Sequence, residues 1–155
     1  MNTKLTIVRF VNVIIVSALA GVSLGIWIGF NPMSLSQETY VEQQQNMLQS
    51  LRVLMVALVF LATIITIIAA LVERKNKSRG IVLGLASLFL IGCIVITRFG
   101  NKPIDDIVLT WTSESIPSNW QELRDRWWSL HIARTFTEIV ALFLITWTNI
   151  KKNDD

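Results

Sequence analysis

Four long apolar blocks decide what this chain can become. Thr6–Phe30 runs 25 residues with one charge, Arg9, at its edge. Leu51–Val72 runs 22 residues with Arg52 at its edge, and Ile81–Thr97 runs 17 with no charge. The fourth, Trp127–Thr148, is 22 residues long and holds His131, Arg134 and Glu138. A bilayer core of about 30 Å is crossed by about 20 apolar residues in an α-helix. The first three blocks meet that requirement. The fourth meets it only if its ionisable groups face protein or a cavity. An all-α fold follows: a four-transmembrane-helix bundle forming a single integral membrane domain over 1–155, with helices at about 6–30, 37–72, 80–99 and 119–149. Charged residues make up 16% of the chain, against about 25% in soluble domains. That excludes a disordered chain and argues against a soluble enzyme. Cys93 stands alone, so there is no intrachain disulfide.

Lys4, Arg9 and the small-x-small run Ala18-Leu19-Ala20 have the look of a secretory signal. The apolar run continues ten residues beyond Ala20, which instead predicts an uncleaved helix. Orientation follows from the basic residues. The connector Glu73–Arg79 holds Arg74, Lys75, Lys77 and Arg79; the N-terminus adds Lys4 and Arg9, and the C-terminus Lys151 and Lys152. The other side has five basic residues and seven acids. Both termini are expected in the cytoplasm, with the membrane a bacterial inner one. This topology accounts for the basic residues, which give no argument for nucleic acid.

The two longer connectors then face outward. Asn31-Pro32 stops the first helix, and Ser36 caps a second that runs unbroken into block two. Gly100 and Pro103 are read as ending helix three. Ile104, Ile107, Val108 and Trp111 recur at i, i+3, i+4, i+7 and predict a short outer amphipathic helix between helices three and four. Pro117 breaks it, and Ser118-x-x-Gln121 reads as a capping box that starts the last helix. Five of six tryptophans (27, 111, 120, 127 and 128) fall near the outer boundary. Interfacial anchoring and an aromatic-walled pocket both account for them.

The stripe Arg124, Trp127, His131, Arg134, Glu138 steps by 3, 4, 3, 4 and so occupies one helix face. Lipid does not accept three such ionisable groups, so the face points into the bundle. Two readings are open. In one, Arg134 and Glu138 pair at i, i+4 as structural charges and His131 is a satisfied interfacial residue. In the other, the stripe lines an outward-opening pocket, with His131 and Arg134 reacting and Glu138 supporting Arg134. His131 is the sole histidine and suits proton transfer near neutral pH. No cofactor is expected. A metal or haem on His131 would need carboxylates such as Glu42 or Glu138 as further ligands, and paired-histidine haem ligation within the chain is excluded. Gly21, Gly25 and Gly29 make a small-xxx-small face suited to close helix approach, Gly25 being expected beneath a crossing helix, with homo-oligomer contact through this face a further possibility. Asn12 needs a hydrogen-bond partner in lipid. Glu42, Gln43, Gln44, Gln45 and Asn46 form either a solvated helix face or the roof of a cavity. No nucleotide-, flavin- or thiol-chemistry motif is present.

Asn101-Lys102-Pro103-Ile104, Trp111, Trp120 and Arg124-Asp125-Arg126-Trp127 with His131 and Arg134 together resemble the anthrone oxygenase-like family of small four-helix membrane proteins. Val41-Glu42 to Gln45 is similar to the family's segment before helix two. Asp105 is a departure, since the family often has Asn there. The resemblance implies the fold already derived. It also implies oxidation of an anthrone-like phenolic or quinol-type molecule by dioxygen without an organic cofactor. On that implication Trp111 and Trp127 stack on the ligand, and Asn101, Glu42 and Gln45 join them in binding it. His131 takes a proton, and Arg134 and Arg124 stabilise the anion. Two other readings stand beside it: a non-enzymatic membrane subunit, and a lipid or quinone binder without turnover.

Overall fold

The computed structural model describes residues 3–150. Lys151 and Lys152 of the orientation argument lie outside the described residues. The chain is helical, with no strand among the described residues. α1 is Thr3–Gly29, α2 Gln37–Val72, α3 Lys77–Ile96, α4 Lys102–Val108 and α5 Trp120–Ile150. Four helical stretches are long and apolar enough to cross a membrane: α1, α2, α3 with α4, and α5.

Local chemistry sets the ends. Ser36 caps α2, its hydroxyl accepting the Thr39 N–H. Asn76 caps α3 by accepting the Arg79 N–H, which starts that helix at Lys77 rather than at the apolar block. Asn119 precedes α5, its carbonyl accepting from Glu122 and Leu123. The helix therefore opens one residue past Ser118, and the expected Ser118–Gln121 capping box does not form.

The end of α3 corrects the sequence reading. Gly100 and Pro103 do not stop the helix. A π turn at Thr97–Asn101 carries it into α4. The Lys102 N–H reaches back to the Thr97 carbonyl, and Pro103, with no N–H to offer, enters a turn already widened by one residue. The face expected on a separate helix is also split. Ile104, Val108 and Trp111 are buried, whereas Ile107 is exposed and Trp111 lies beyond the end of α4.

Two buried clusters stack along the bundle. Toward the α2–α3 turn, Leu19, Ala62, Ala86, Leu90 and Ile145 pack with small residues at their centre. Toward the α5 start, Tyr40, Trp111, Trp120, Trp127 and Trp128 pack with Ile26 and Val108. Outside them Phe60, Ile64, Leu88 and Phe143 are exposed, an apolar girdle that suits lipid contact. Polar pairs fasten the helices inside it. Asn12 finds its partner in Thr66, whose hydroxyl lies 2.9 Å from Asn12 Oδ1. Arg9 grips Glu73 with two bonds of 2.6 and 2.7 Å, and Arg79 approaches the same carboxylate at 3.4 Å.

Gly25 is the second correction. A Cβ at Gly21, Gly25 or Gly29 meets nothing within 4 Å, so no helix of this chain crosses there. The face points outward because Ser23, Ile26, Leu19 and Val16 turn inward on the opposite side of α1. Gly100 is different, since a Cβ there meets Leu130 of α5 at 3.0 Å. Gly25→Leu is therefore expected to leave the thermal unfolding of the monomer in detergent unchanged. Gly100→Leu, which overpacks the α3–α5 contact, is expected to cost about 1–3 kcal/mol. Melting curves of the two proteins check the contrast.

Candidate functional site

α5 crosses the bundle with its charged stripe inward. Arg124, Trp127, His131 and Glu138 are buried, the last two completely, and the Arg134 side chain is 11% exposed. The stripe serves three different neighbourhoods along its length.

At the α5 start, Arg124 lies 5.1 Å over the Trp120 ring and binds Asp125 at 2.8 Å. Trp120 stacks on Tyr40, and Trp111 meets Tyr40 edge-on. Gln45 donates from Nε2 to the carbonyls of Val108 and Trp111, tying α2 to the free end of α4. Glu42 is exposed. Arg124, Trp111, Gln45 and Glu42 thus belong to an aromatic cap and its rim, and none of them borders the cavity described below.

One turn deeper is His131, whose ring is parallel to Trp127 at 5.2 Å and near-parallel to Trp128 at 5.7 Å. Arg134 donates from Nη2 to His131 Nδ1 at 3.0 Å. Guanidinium has only donors, so Nδ1 must accept. The ring proton is then on Nε2, which donates to the Ser23 carbonyl of α1 at 3.1 Å. Both nitrogens of this neutral imidazole are committed.

Deeper again, Arg134 Nη1 lies 3.6 Å from Glu138 Oε1, and the same oxygen accepts the Cys93 thiol at 3.0 Å. Arg134 is suspended between histidine and carboxylate, with its Nε buried and without a hydrogen-bond partner.

Beside this assembly is a cavity of about 80 Å³ between α2, the α3–α4 turn and α5. Leu51, Met55 and Val59 of α2 and Ile26 of α1 make its apolar walls. Its polar side is built from Arg134, Trp127, Asn101 and Asp105, with Cys93 and Thr97 below. Arg52 and Val56, both with exposed surface, mark the mouth. Asn101, 2% exposed, donates to the Trp127 carbonyl at 3.0 Å and leaves Oδ1 without a partner. Trp127 donates its indole N–H to Asp105 Oδ1 at 2.7 Å. The residues singled out from the sequence as a site therefore divide. Arg134, Trp127 and Asn101 border the cavity. His131 and Glu138 stand behind Arg134.

Asp105 and Cys93 border the cavity without having been picked out as site residues. Cys93, Thr97, Asn101 and Asp105 follow one another at intervals of four, a signal hidden once Gly100 and Pro103 are read as a helix stop. Among the described residues no three His, Cys, Asp or Glu side chains converge to hold a metal ion.

Fold and site define a membrane-spanning four-helix protein with a buried arginine beside an apolar cavity. The sequence pattern of the anthrone oxygenase family matches residues 41–144, about two thirds of the chain, and the chain belongs to that family. No curated protein and no solved structure matches it.

The Arg134–Glu138 pair lends itself to a direct test. Removing one partner of a buried pair leaves an uncompensated charge, which costs about 3–5 kcal/mol. Glu138→Leu is expected to lower the melting temperature sharply. The double change Arg134→Met with Glu138→Leu is expected to restore most of it, and a thermal double-mutant cycle measures the coupling.

Proposed function

We propose that this chain binds a hydrophobic phenolic or quinol-type molecule in the cavity beside Arg134 and oxidises it with dioxygen, as an anthrone oxygenase. The observation that carries this reading is a guanidinium with an unsatisfied Nε at the side of an otherwise apolar cavity. An anthrone becomes reactive toward dioxygen on losing a proton, because the resulting anion is electron-rich and spreads its charge onto the ring oxygen. A cation fixed in a low-dielectric site stabilises that oxygen without having to reorganise. The cavity takes one edge of the ring system, and the remaining rings extend through the mouth past Arg52 and Val56. Membership of the family supports the chemistry.

In this arrangement His131 positions Arg134. Its Nδ1 fixes one guanidinium nitrogen and Glu138 attracts another, so the cation keeps its aim. Trp127 supplies an aromatic wall. The mouth faces outward, with both termini on the cytoplasmic side of a bacterial inner membrane, an orientation supported by the basic residues of the Glu73–Arg79 turn. The outward glycine face of α1 is the contact for a second copy of the chain.

Two experiments check this. Purified protein in nanodiscs, given anthrone under air, is expected to form anthraquinone. Arg134→Met is expected to lower the rate about 100- to 1,000-fold, as loss of an anion-stabilising donor does elsewhere. Absence of turnover by the unaltered protein overturns the reading. For topology, a thiol introduced at Ser115 is expected to react with an impermeant reagent on intact cells, and one at Lys77 to stay unmodified; the reverse pattern inverts the orientation.

A further inference from the structure

An anion in the cavity requires something to receive the proton, and the cavity offers few candidates. Four residues on its border carry an ionisable side chain: Arg52, Arg134, Cys93 and Asp105. The arginines are permanent cations and accept nothing. The Cys93 thiol is engaged as a donor to Glu138. His131 stands outside the cavity with both nitrogens bonded. Asp105 remains. Its Oδ1 is oriented by the Trp127 indole N–H at 2.7 Å, and a carboxylate has room for about four such contacts. Asn101, one helical turn before it, is clamped to the Trp127 carbonyl, so backbone and side chain of Trp127 both hold this segment in place. The charges acting on Asp105 are those of Arg134, Arg52 and its neighbour Asp106. Asp106 is itself exposed and bound to Arg52 and Lys102, which leaves a charged, wetted path from the cavity mouth.

We propose that Asp105 is the catalytic base of this chain. The inference rests on the cavity being the place of oxidation. A C–H bond of the substrate's methylene breaks, its electron pair passes into the ring system toward the oxygen held by Arg134, and the proton goes to Asp105. The carbanion gives its electrons to dioxygen as a C–O bond forms, and the proton on Asp105 returns to the peroxide anion. The hydroperoxide then loses water and leaves a carbonyl. In total one methylene and one dioxygen become one carbonyl and one water, and Asp105 is regenerated.

The proton step can be read without the oxidation. Protein in nanodiscs is held under nitrogen in heavy water with anthrone, and deuterium entering the methylene is followed by mass spectrometry. The unaltered protein is expected to accelerate exchange over empty nanodiscs. Asp105→Asn keeps an oxygen for the Trp127 N–H and removes the basicity. It is expected to bind anthrone as before, by tryptophan quenching, and to lose about 100-fold or more of the exchange rate, the range a general base supplies. Asp105→Glu is expected to recover part of it. Exchange equal in Asp105→Asn and the unaltered protein overturns the proposal, as does no acceleration by the unaltered protein. Loss of anthrone binding in Asp105→Asn also overturns it, since Asp105 is then a binding group. Exchange that proceeds under nitrogen with no anthraquinone formed in air leaves Asp105 as a base and removes the oxygenase reading instead.

Discussion

A guanidinium held inside an apolar bundle is the constraint on which this molecule is organised. Arg134 cannot face lipid at that depth without a large desolvation cost. Its neighbours are accordingly polar on every side the fold controls. His131 accepts from one nitrogen, Glu138 balances the charge, and Cys93 and Ser23 attach those two residues to α3 and α1. Three helices thus meet around one cation. An apolar residue of similar volume would pack there at less cost. Retaining the cation makes sense where a negative charge has to be met, and the adjoining cavity is where one would arise.

Much of this was legible in the sequence, and the reasons are physical. Apolar block length sets the number of spanning helices because the bilayer sets the length requirement. The stripe from Arg124 to Glu138 was readable because ionisable groups in a span have only one direction to turn. What the stripe does residue by residue was not readable. Whether His131 faces a cavity or a neighbour depends on a carbonyl of Ser23, 108 residues earlier in the chain. The error at Gly100 and Pro103 has a local cause. Both residues are strong stop signals for an α-helix, but a π turn has a register in which an absent N–H and an absent side chain are tolerated. That one misreading concealed the continuity of Cys93, Thr97, Asn101 and Asp105. In an unbroken α-helix a spacing of four drifts by about 40° at each step. The wider turn takes back part of that drift, and all four residues reach the same cavity.

The aromatic end of the bundle shows how one residue type serves two purposes. Trp120, Trp111 and Tyr40 close the top of the core, and their position near a membrane boundary fits the preference of indole for that depth. Trp127 is the same residue type in the same cluster, yet its N–H orients Asp105 and its carbonyl holds Asn101. Composition and position alone do not separate these uses, because both draw on the amphipathic character of the ring. Family membership extends over this whole region, from residue 41 to residue 144, and so includes every residue of α4 and most of α5.

The clasp between Arg9 and Glu73 bears on how the protein is made. The two residues are 64 positions apart, and the Asn12–Thr66 bond spans 54. A ribosome adding about 5–20 residues per second needs roughly 3–13 s to cover the longer interval. For that time the first helix is in the membrane with its arginine and asparagine unanswered. It persists by keeping Arg9 at the water boundary, where a long side chain can extend to the headgroups. Only when the second helix has been threaded to its last turn do both bonds close, and they close together. The α1–α2 hairpin is thus the earliest unit of the bundle able to satisfy its own polar groups, and α3 and α5 assemble against a pair that has already been fixed.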